Sequence, residues 1–424
     1  MPFAAEQPPA LSDRIVPALI QGTAVLAGRA YAAADPVGAL DAMPAASLFD
    51  RSLIHQLAFR RAEGLASQAR ALTTDRLFRV ENPRLGPRPP RLLALCAPGD
   101  LMVNTPLDFI TNELDVRLDL LFLLPGEPLP ATIPDHDIAF FAVSEAGPDL
   151  LARMTRLFTR WPRPALNDPR FLPLLARDAL SRALTDAPGI CAPPAIAITQ
   201  DALRQHLHGG RRLSALGTGG TIYPCLIRPL HAHAGTGLAL LNGDTDLDAY
   251  LRLSLTDRFY LTAFQDYAGP DGLYRKLRVA FIEGRPYLCH MAVSRHWMVH
   301  YLNAGMTESA AKRAMEAEAM ATFDTGFARR HAAAFTQLHA RLGFDYYSID
   351  CAETPDGRLL VFEADTAAII HMMDPPDLFP YKQPQMRRVF DAFGAMLRRR
   401  SAHAPSSPDI RTPADHRTDA SVPA

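Results

Sequence analysis

Residues 348–365, SIDCAETPDGRLLVFEAD, constrain this chain more than any other stretch. Apolar residues flank Asp356-Gly357 on both sides, and a two-residue type I′ turn needs positive φ at both positions, which Asp-Gly tolerates. With Asp356 and Gly357 as the loop, Pro355 pairs with Arg358 and Asp350 falls opposite Glu363. Asp365 follows on the same face as Glu363, because side chains alternate along a strand. Three carboxylates then share one side of one hairpin. Opposed like charges destabilise an antiparallel pair, so a positive group is expected between them. A hard divalent cation held by carboxylate oxygens is the usual answer; a solvated acidic edge is the alternative.

The rest of the sequence narrows the setting. A length of 424 residues suggests two to four structural units. The net charge of −1 leaves no basic field to gather nucleic acid or an anionic membrane. Lysine occurs only at 276, 312 and 382, so arginine carries nearly all the positive charge. Cys96, Cys191, Cys225, Cys289 and Cys351 are odd in number and widely spaced, as expected of reduced thiols in the cytoplasm. The first residues show no basic region followed by an apolar run, so no signal peptide is expected. The longest apolar runs, such as Leu118 to Leu124, are too short to span a bilayer.

Along the chain, residues 1–88 are expected to be a helical N-terminal region, with amphipathic stretches at 14–33 and 48–77 broken near Asp35-Pro36. Nothing there suggests chemistry; the helices suit packing, or contact with a second copy or another protein. The Pro-rich segment 82–90 marks a boundary. Residues 89–165 then alternate apolar runs (91–97, 116–124, 138–143) with helical segments, a pattern of small α/β units with parallel strands. Residues 166–400 carry a helix near 171–185, strands at 195–199, 223–230, 258–264, 277–282 and 286–293, a long helical stretch at 308–342, the hairpin, and a last helix at 384–400. The tail 401–424 is expected to be disordered.

Four motifs accompany the hairpin. The strand ending in Ile227-Arg228-Pro229 leads into a loop at 231–237, where Gly235 and Gly237 permit close backbone approach to a phosphate. A generic turn explains that loop about as well. His231 and His233 have zinc-ligand spacing, but no further ligand is nearby. A second apolar strand ends in Gln265-Asp266-Tyr267. Lys276 and Arg278 share one face of the next strand, and Arg295 and His296 follow on its return. Beside three carboxylates, such a basic set fits a polyanion that chelates a metal, such as a nucleoside triphosphate.

In this order, the pieces resemble the ATP-grasp superfamily, nearest to RimK-like and glutathione-synthetase-like carboxylate–amine ligases. The resemblance covers about 90–400 and implies an α/β (α+β) fold: an ATP-grasp domain, a preceding small α/β domain, and the N-terminal helical segment. It implies that Asp350, Glu363 and Asp365 hold two magnesium ions, for which manganese can substitute. It likewise implies that Arg228, Gly235, Gly237 and Lys276 meet the ATP phosphates and that Gln265, Asp266 and Tyr267 hold adenine. Arg278 and Arg295 are the implied catalytic residues, facing phosphate and the acyl substrate. Three positions depart from the pattern. Arg228 replaces a lysine, presenting a planar fork instead of a point charge. Arg177-Asp178-Ala179 stands where Asp-Lys is expected, and Asp365 replaces asparagine.

The implied activity is ATP-dependent ligation of a small-molecule or peptide carboxylate to an amine, or to a thiol, through an acyl phosphate. No nucleic acid or membrane is involved. Nucleotide binding without ligation, as a sensor or scaffold, and small-molecule phosphorylation are the alternatives. Substrate loops are expected at 97–105, 294–306 and 366–380, with His371 and Asp374 either facing the pocket or capping it.

Overall fold

Leu92 to Cys96 are all almost fully buried, as a strand covered on both faces must be. A computed structural model describes residues 9–43, 47–209, 222–230, 232 and 235–402. His231, His233 and residues 403–424 lie outside these, as do the first eight residues. The N-terminal strands are β1 (Ala10–Ser12), β2 (Ala18–Ile20), β3 (Leu77–Val80), β4 (Arg91–Cys96), β5 (Arg117–Phe122), β6 (Thr132–Pro134), β7 (Ile138–Phe141) and β8 (Ala165–Leu166). Six of them form one sheet in the order β2-β3-β5-β4-β7-β8, while β1 pairs with β6. The three apolar runs read from the sequence are the parallel trio β5-β4-β7.

The boundary expected at residue 88 does not separate two sheets. Strands β2 and β3 precede it, and β3 pairs antiparallel with β5. The Pro-rich segment is also pinned. The Asn82 amide donates to the carbonyls of Leu114 (2.9 Å) and Thr111 (3.0 Å). Four helices lie between β2 and β3: Thr23–Tyr31, Pro36–Ala42, Leu48–Leu57 and Arg61–Thr74. Asp35 caps the second by accepting from Gly38 N (3.0 Å), with Pro36 at the first helical position.

The remaining strands are β9 (Ile190–Cys191), β10 (Ala195–Thr199), β11 (Cys225–Pro229), β12 (Ala239–Leu241), β13 (Arg258–Ala263), β14 (Tyr274–Ile282), β15 (Arg285–Ser294), β16 (Tyr346–Glu353) and β17 (Leu359–Asp365). They build a four-stranded antiparallel sheet, β10-β13-β11-β12, and a five-stranded sheet, β15-β14-β16-β17-β9. Residues 264–273 are the connection from β13 to β14, and so from one sheet to the other.

The five-stranded sheet is buried on both faces. On one, Phe281 and Tyr347 stack at 4.7 Å and meet Phe335, Leu338 and Leu342. On the other, Ala280, Ile282 and Tyr346 pack with Val389, Phe390 and Phe393 and with Phe140 of the N-terminal sheet. Each large side chain buried this way contributes about 1.5–3 kcal/mol. The stretch expected as one long helix at 308–342 is three, Ala310–Thr322, Phe327–Arg330 and Ala332–Leu342. The break falls at Gly326, where a Cβ would sit 2.9 Å from the Thr322 carbonyl oxygen. The last helix, Lys382–Ala402, extends past its expected end.

Candidate active site

The hairpin's turn is not the expected one. Gly357 has φ +80° while Asp356 does not share the positive sign. Gly357 N donates to Thr354 O (2.8 Å), and Thr354 N donates to Arg358 O (3.0 Å). The loop is therefore one residue longer than type I′ allows, and Pro355 does not pair with Arg358. That alone would move every carboxylate by one position. A β-bulge undoes the shift: the register jumps between Cys351↔Val361 and Asp350↔Glu363, leaving Phe362 as the extra residue. Asp350 still faces Glu363, and Asp365 faces Ser348.

Register carries this polar row across the sheet. His290 on β15 opposes Arg278 on β14, Arg278 opposes Asp350, and Asp350 opposes Glu363. Arg278 grips Asp350 with Nε at 2.8 Å and Nη2 at 3.1 Å, and Lys276 Nζ lies 2.7 Å from the same carboxylate. Glu363 is paired with Arg177, whose other terminal nitrogen donates to the carbonyl of the bulged Phe362 (3.1 Å). Arg177 is the first residue of the helix Arg177–Leu184. The positive groups expected between the carboxylates are thus side chains of the chain itself. Asp350, Glu363 and Asp365 face an equal number of cations, Arg177, Lys276 and Arg278.

Burial alone would raise the pKa of all three carboxyls. At Asp350 the charges of Arg278 and Lys276 reverse the effect and hold it well below the usual range. At Glu363 burial is likewise overcome, chiefly by Arg177, and the net shift is downward. Asp365 has no such partner. It accepts from Ala367 N (2.6 Å), but burial and the nearby Glu363 charge push it up to about 6.

Across from this row stands Arg228 on β11. Its Nη2 donates to Ala232 O, and its Nε is buried without a hydrogen-bond partner among the described residues. Burial, and then the charge of Arg177, lower its pKa to about 10. Gly235 and Gly237 follow with φ of +75° and +66°, in the connection between β11 and β12. The Gly237 carbonyl accepts from Tyr250 (2.6 Å), and a Cβ there would meet Pro229 at 2.8 Å.

Gln265, Asp266 and Tyr267 lie in the connection between the two sheets. Gln265 Nε2 donates to Asp266 O (2.9 Å). Tyr267 is buried, packs on Tyr274 and on the bulged Phe362, and donates to Trp297 O (2.5 Å). Its side chain is therefore core, leaving only its main chain to meet a ligand. Arg295 stands exposed beyond β15, and no ion pair ties it to the hairpin among the described residues.

Sequence reasoning set Arg177 aside as the place of a missing lysine. The structure puts it on Glu363. A second buried cluster went unnoticed. Lys382 Nζ contacts Tyr301 Oη, Asp374 Oδ2 (3.2 Å) and Glu316 Oε1 (3.6 Å), between the rings of Tyr301 and Phe379. Glu316 also accepts from Met291 N (2.9 Å), Tyr301 (3.1 Å) and Tyr381 (2.7 Å). Asp374 is thus tied to Lys382. The only lysine-specific signal was its rarity in the chain. His290, whose buried Nδ1 has no hydrogen-bond partner among the described residues, packs its ring 4.6 Å from Tyr301.

Among the described residues, no group of three or more His, Cys, Asp or Glu side chains is gathered so as to hold a metal ion. No helix among them is long and apolar enough to cross a membrane. No family model and no curated protein matches the chain. Solved structures similar to it include a RimK-domain ATP-grasp protein from Sphaerobacter thermophilus DSM 20745, at 18% identity, covering 72% of this chain and 98% of that one with a TM-score of 0.37. Another is the VanG D-Ala:D-Ser ligase from Enterococcus faecalis, at 14% identity, 74% and 100% coverage and a TM-score of 0.44. D-alanyl-alanine synthetase A from Vibrio cholerae O1 biovar eltor str. N16961 is similar at 11% identity, 74% and 99% coverage and a TM-score of 0.44.

Proposed function

We propose that this chain is an ATP-dependent ligase of the ATP-grasp type, joining a carboxylate to an amine with release of ADP and phosphate. The observation that carries the reading is the convergence of Arg228 from one antiparallel sheet with Arg177, Lys276 and Arg278 beside the acidic row of the other. Four cations between two sheets suit a polyphosphate, and arginine forks suit its oxygens. Arg228 has an Nε donor with no acceptor among the described residues, and the Gly235–Gly237 turn lets main chain approach closely. The main chain of residues 265–267, where the sheets are joined, is the segment assigned to adenine.

In the proposed reaction a substrate carboxylate oxygen attacks the γ-phosphorus. The bond from that phosphorus to the β-bridging oxygen breaks, and ADP leaves. The amine then attacks the acyl carbon, a C–N bond forms, the C–O bond to phosphate breaks, and the amine nitrogen loses a proton. Both steps need positioning and charge stabilisation more than a protein nucleophile. Arg278, held by Asp350, supplies fixed positive charge in a buried setting; Arg295 is free to approach the acyl substrate from its loop. The magnesium ions implied by the resemblance match the donor types here, since all three side chains are carboxylates. They do not match the arrangement, in which Asp350 and Glu363 are already engaged by cations, so no step is assigned to a metal.

That engagement also favours a second reading, nucleotide binding without ligation. The two separate by product. Titration with ATP followed by calorimetry should give binding that Arg228→Met and Lys276→Met each weaken by about tenfold or more. Carboxylate–amine pairs should then release ADP. Binding without ADP release from any pair supports the sensor reading, and no binding at millimolar ATP sinks both.

A further inference from the structure

We propose that a cleft away from the candidate active site, between the β14–β15 hairpin and the last helix, is a second ligand site. Its ligand is a small zwitterion with a free ammonium and a free carboxylate, of the amino-acid or dipeptide class, held by Arg285 and Asp391. The proposal stands independently of the nucleotide reading above.

The cleft has a volume of about 480 Å³, within the range of small-molecule sites. The hairpin contributes Glu283, Arg285 and Tyr287, and one face of the helix contributes Arg388, Asp391 and Arg399. Ile282 lies in its wall, on the same strand as Arg278. At strand spacing the two residues stand roughly 13 Å apart, so a ligand in the cleft leaves the acidic row free. Two of the three arginines are already engaged. Arg388 is paired with Asp324 and donates to Gln385 Oε1 (2.9 Å), and Arg399 is paired with Glu283. Arg285 and Asp391 are different. Both are exposed, and neither has an ion-pair partner among the described residues, in each other or elsewhere.

Arg285 is nonetheless held in place. Its guanidinium lies over the ring of Tyr287, 5.3 Å from the centroid, and Tyr287 is itself buried. Stacking occupies the flat face of the fork and leaves its N–H edge free for a carboxylate. From the helix, Asp391 offers a carboxylate to an ammonium. One unengaged cation and one unengaged anion in the same cleft suit a ligand that carries both charges. A polyanion suits it less, because Asp391 and Glu283 repel it while Arg388 and Arg399 are held by carboxylates of their own. A simple cation meets three arginines. Ile282, Ala392 and Ala395 supply apolar wall for the body of the ligand.

The test is calorimetric titration of the full-length protein, without nucleotide, with leucine and with alanyl-leucine. At least one should bind with millimolar affinity or better. N-acetylation of that probe removes its ammonium and amidation removes its carboxylate. Each should weaken binding by about tenfold or more, as expected for one lost charge-assisted contact. Arg285→Gln should weaken the free probe to the same degree. Asp391→Asn should erase the difference between the free and the N-acetylated probe. Both residues are exposed, so both variants should fold; if either does not, the acetylated and amidated probes still decide the matter on wild-type protein. Acetate or inorganic phosphate binding as tightly as the zwitterion overturns the proposal, as does failure of both zwitterions to bind at about 10 mM. Zwitterion affinity left unchanged by both variants places the ligand elsewhere in the molecule, the candidate active site included, and equally overturns it.

Discussion

Lys382 and Arg177 each bring a cation to a glutamate beside the five-stranded sheet, yet the two glutamates live in different surroundings. Glu316 is wholly enclosed. Its carboxylate accepts from one main-chain N–H and two tyrosine hydroxyls as well as facing Lys382, whose ammonium lies between two aromatic rings. Burial outweighs those partners and keeps its carboxyl raised. Glu363 is held by the Arg177 side chain, with no main-chain N–H or hydroxyl donor on its carboxylate among the described residues, and its carboxyl is lowered despite burial. The first arrangement uses every acceptor and joins the helix Ala310–Thr322, β15, the loop to Tyr381 and the last helix. The second leaves capacity unused. A saturated ion cluster fixes a fold; an unsaturated one, open to solvent, is available for exchange with a ligand.

The largest expected effect breaks the first cluster. Lys382→Met should cost about 3–5 kcal/mol, because Glu316 is left buried, and Asp374 half-buried, without their cation. The measurement is urea unfolding, read as a lower midpoint at unchanged slope. Arg177→Met should cost under about 1 kcal/mol, since Glu363 can turn partly to water. Equal losses at the two sites would erase the distinction drawn between them.

A second saturated group lies beside the N-terminal sheet, in the connection from β6 to β7. His136 is buried, its Nε2 accepting from Trp161 Nε1 (2.9 Å) and its Nδ1 set 3.1 Å from Pro134 O. Both nitrogens are committed in the neutral form, and protonating Nε2 would set two N–H groups against each other. Burial lowers its pKa from 6.5 to about 4. As pH falls below 6.5 the unfolded chain takes up a proton that the folded chain refuses. Stability present above pH 6.5 is therefore lost progressively down to about pH 4, by about 3 kcal/mol in all. Unfolding free energies at pH 7 and 4.5 check this against His136→Asn, whose pH slope should be shallower. An identical slope in the variant removes His136 as the cause.

The comparison also marks what the sequence could reveal. The polar row was legible because Asp350, Glu363, Asp365, Lys276 and Arg278 sit on neighbouring strands, where alternation and a turn signal locate side chains. Even there the pairing of Asp350 with Glu363 holds through two offsetting features. The loop is longer than Asp356-Gly357 suggested, and Phe362 bulges in the other direction. Nothing in the residue types of VFEAD announces a bulge. The parallel core at Leu92, Leu118 and Ile138 was plain from its continuous apolar runs. Strands β2 and β3 were not, being short and embedded in helical sequence. Lys382, Glu316 and Tyr301 come together from three elements with no shared spacing, so only folding shows that they meet. Arg177 reaches Glu363 across 186 positions for the same reason.

The smallest expected effect on stability is the most telling for function. Glu363→Gln removes a negative charge from a row where three carboxylates face three cations, and it keeps the side chain's shape. Arg177 loses its pair, but it is partly exposed and can hydrate, so unfolding free energy should move by about 1 kcal/mol or less. On the ligase reading proposed above, the carboxylate–amine-dependent release of ADP should nevertheless fall sharply, because Arg177 loses the carboxylate that holds it beside the other cations. A Glu363→Gln protein of near-normal stability that still turns over would assign the exchangeable role to another residue. Asp365 is the next candidate: its carboxyl has no cation of its own and titrates near pH 6. The corresponding Glu316→Gln change, at the saturated site, should do the reverse, with a clear loss of stability and nucleotide affinity kept wherever the protein remains folded.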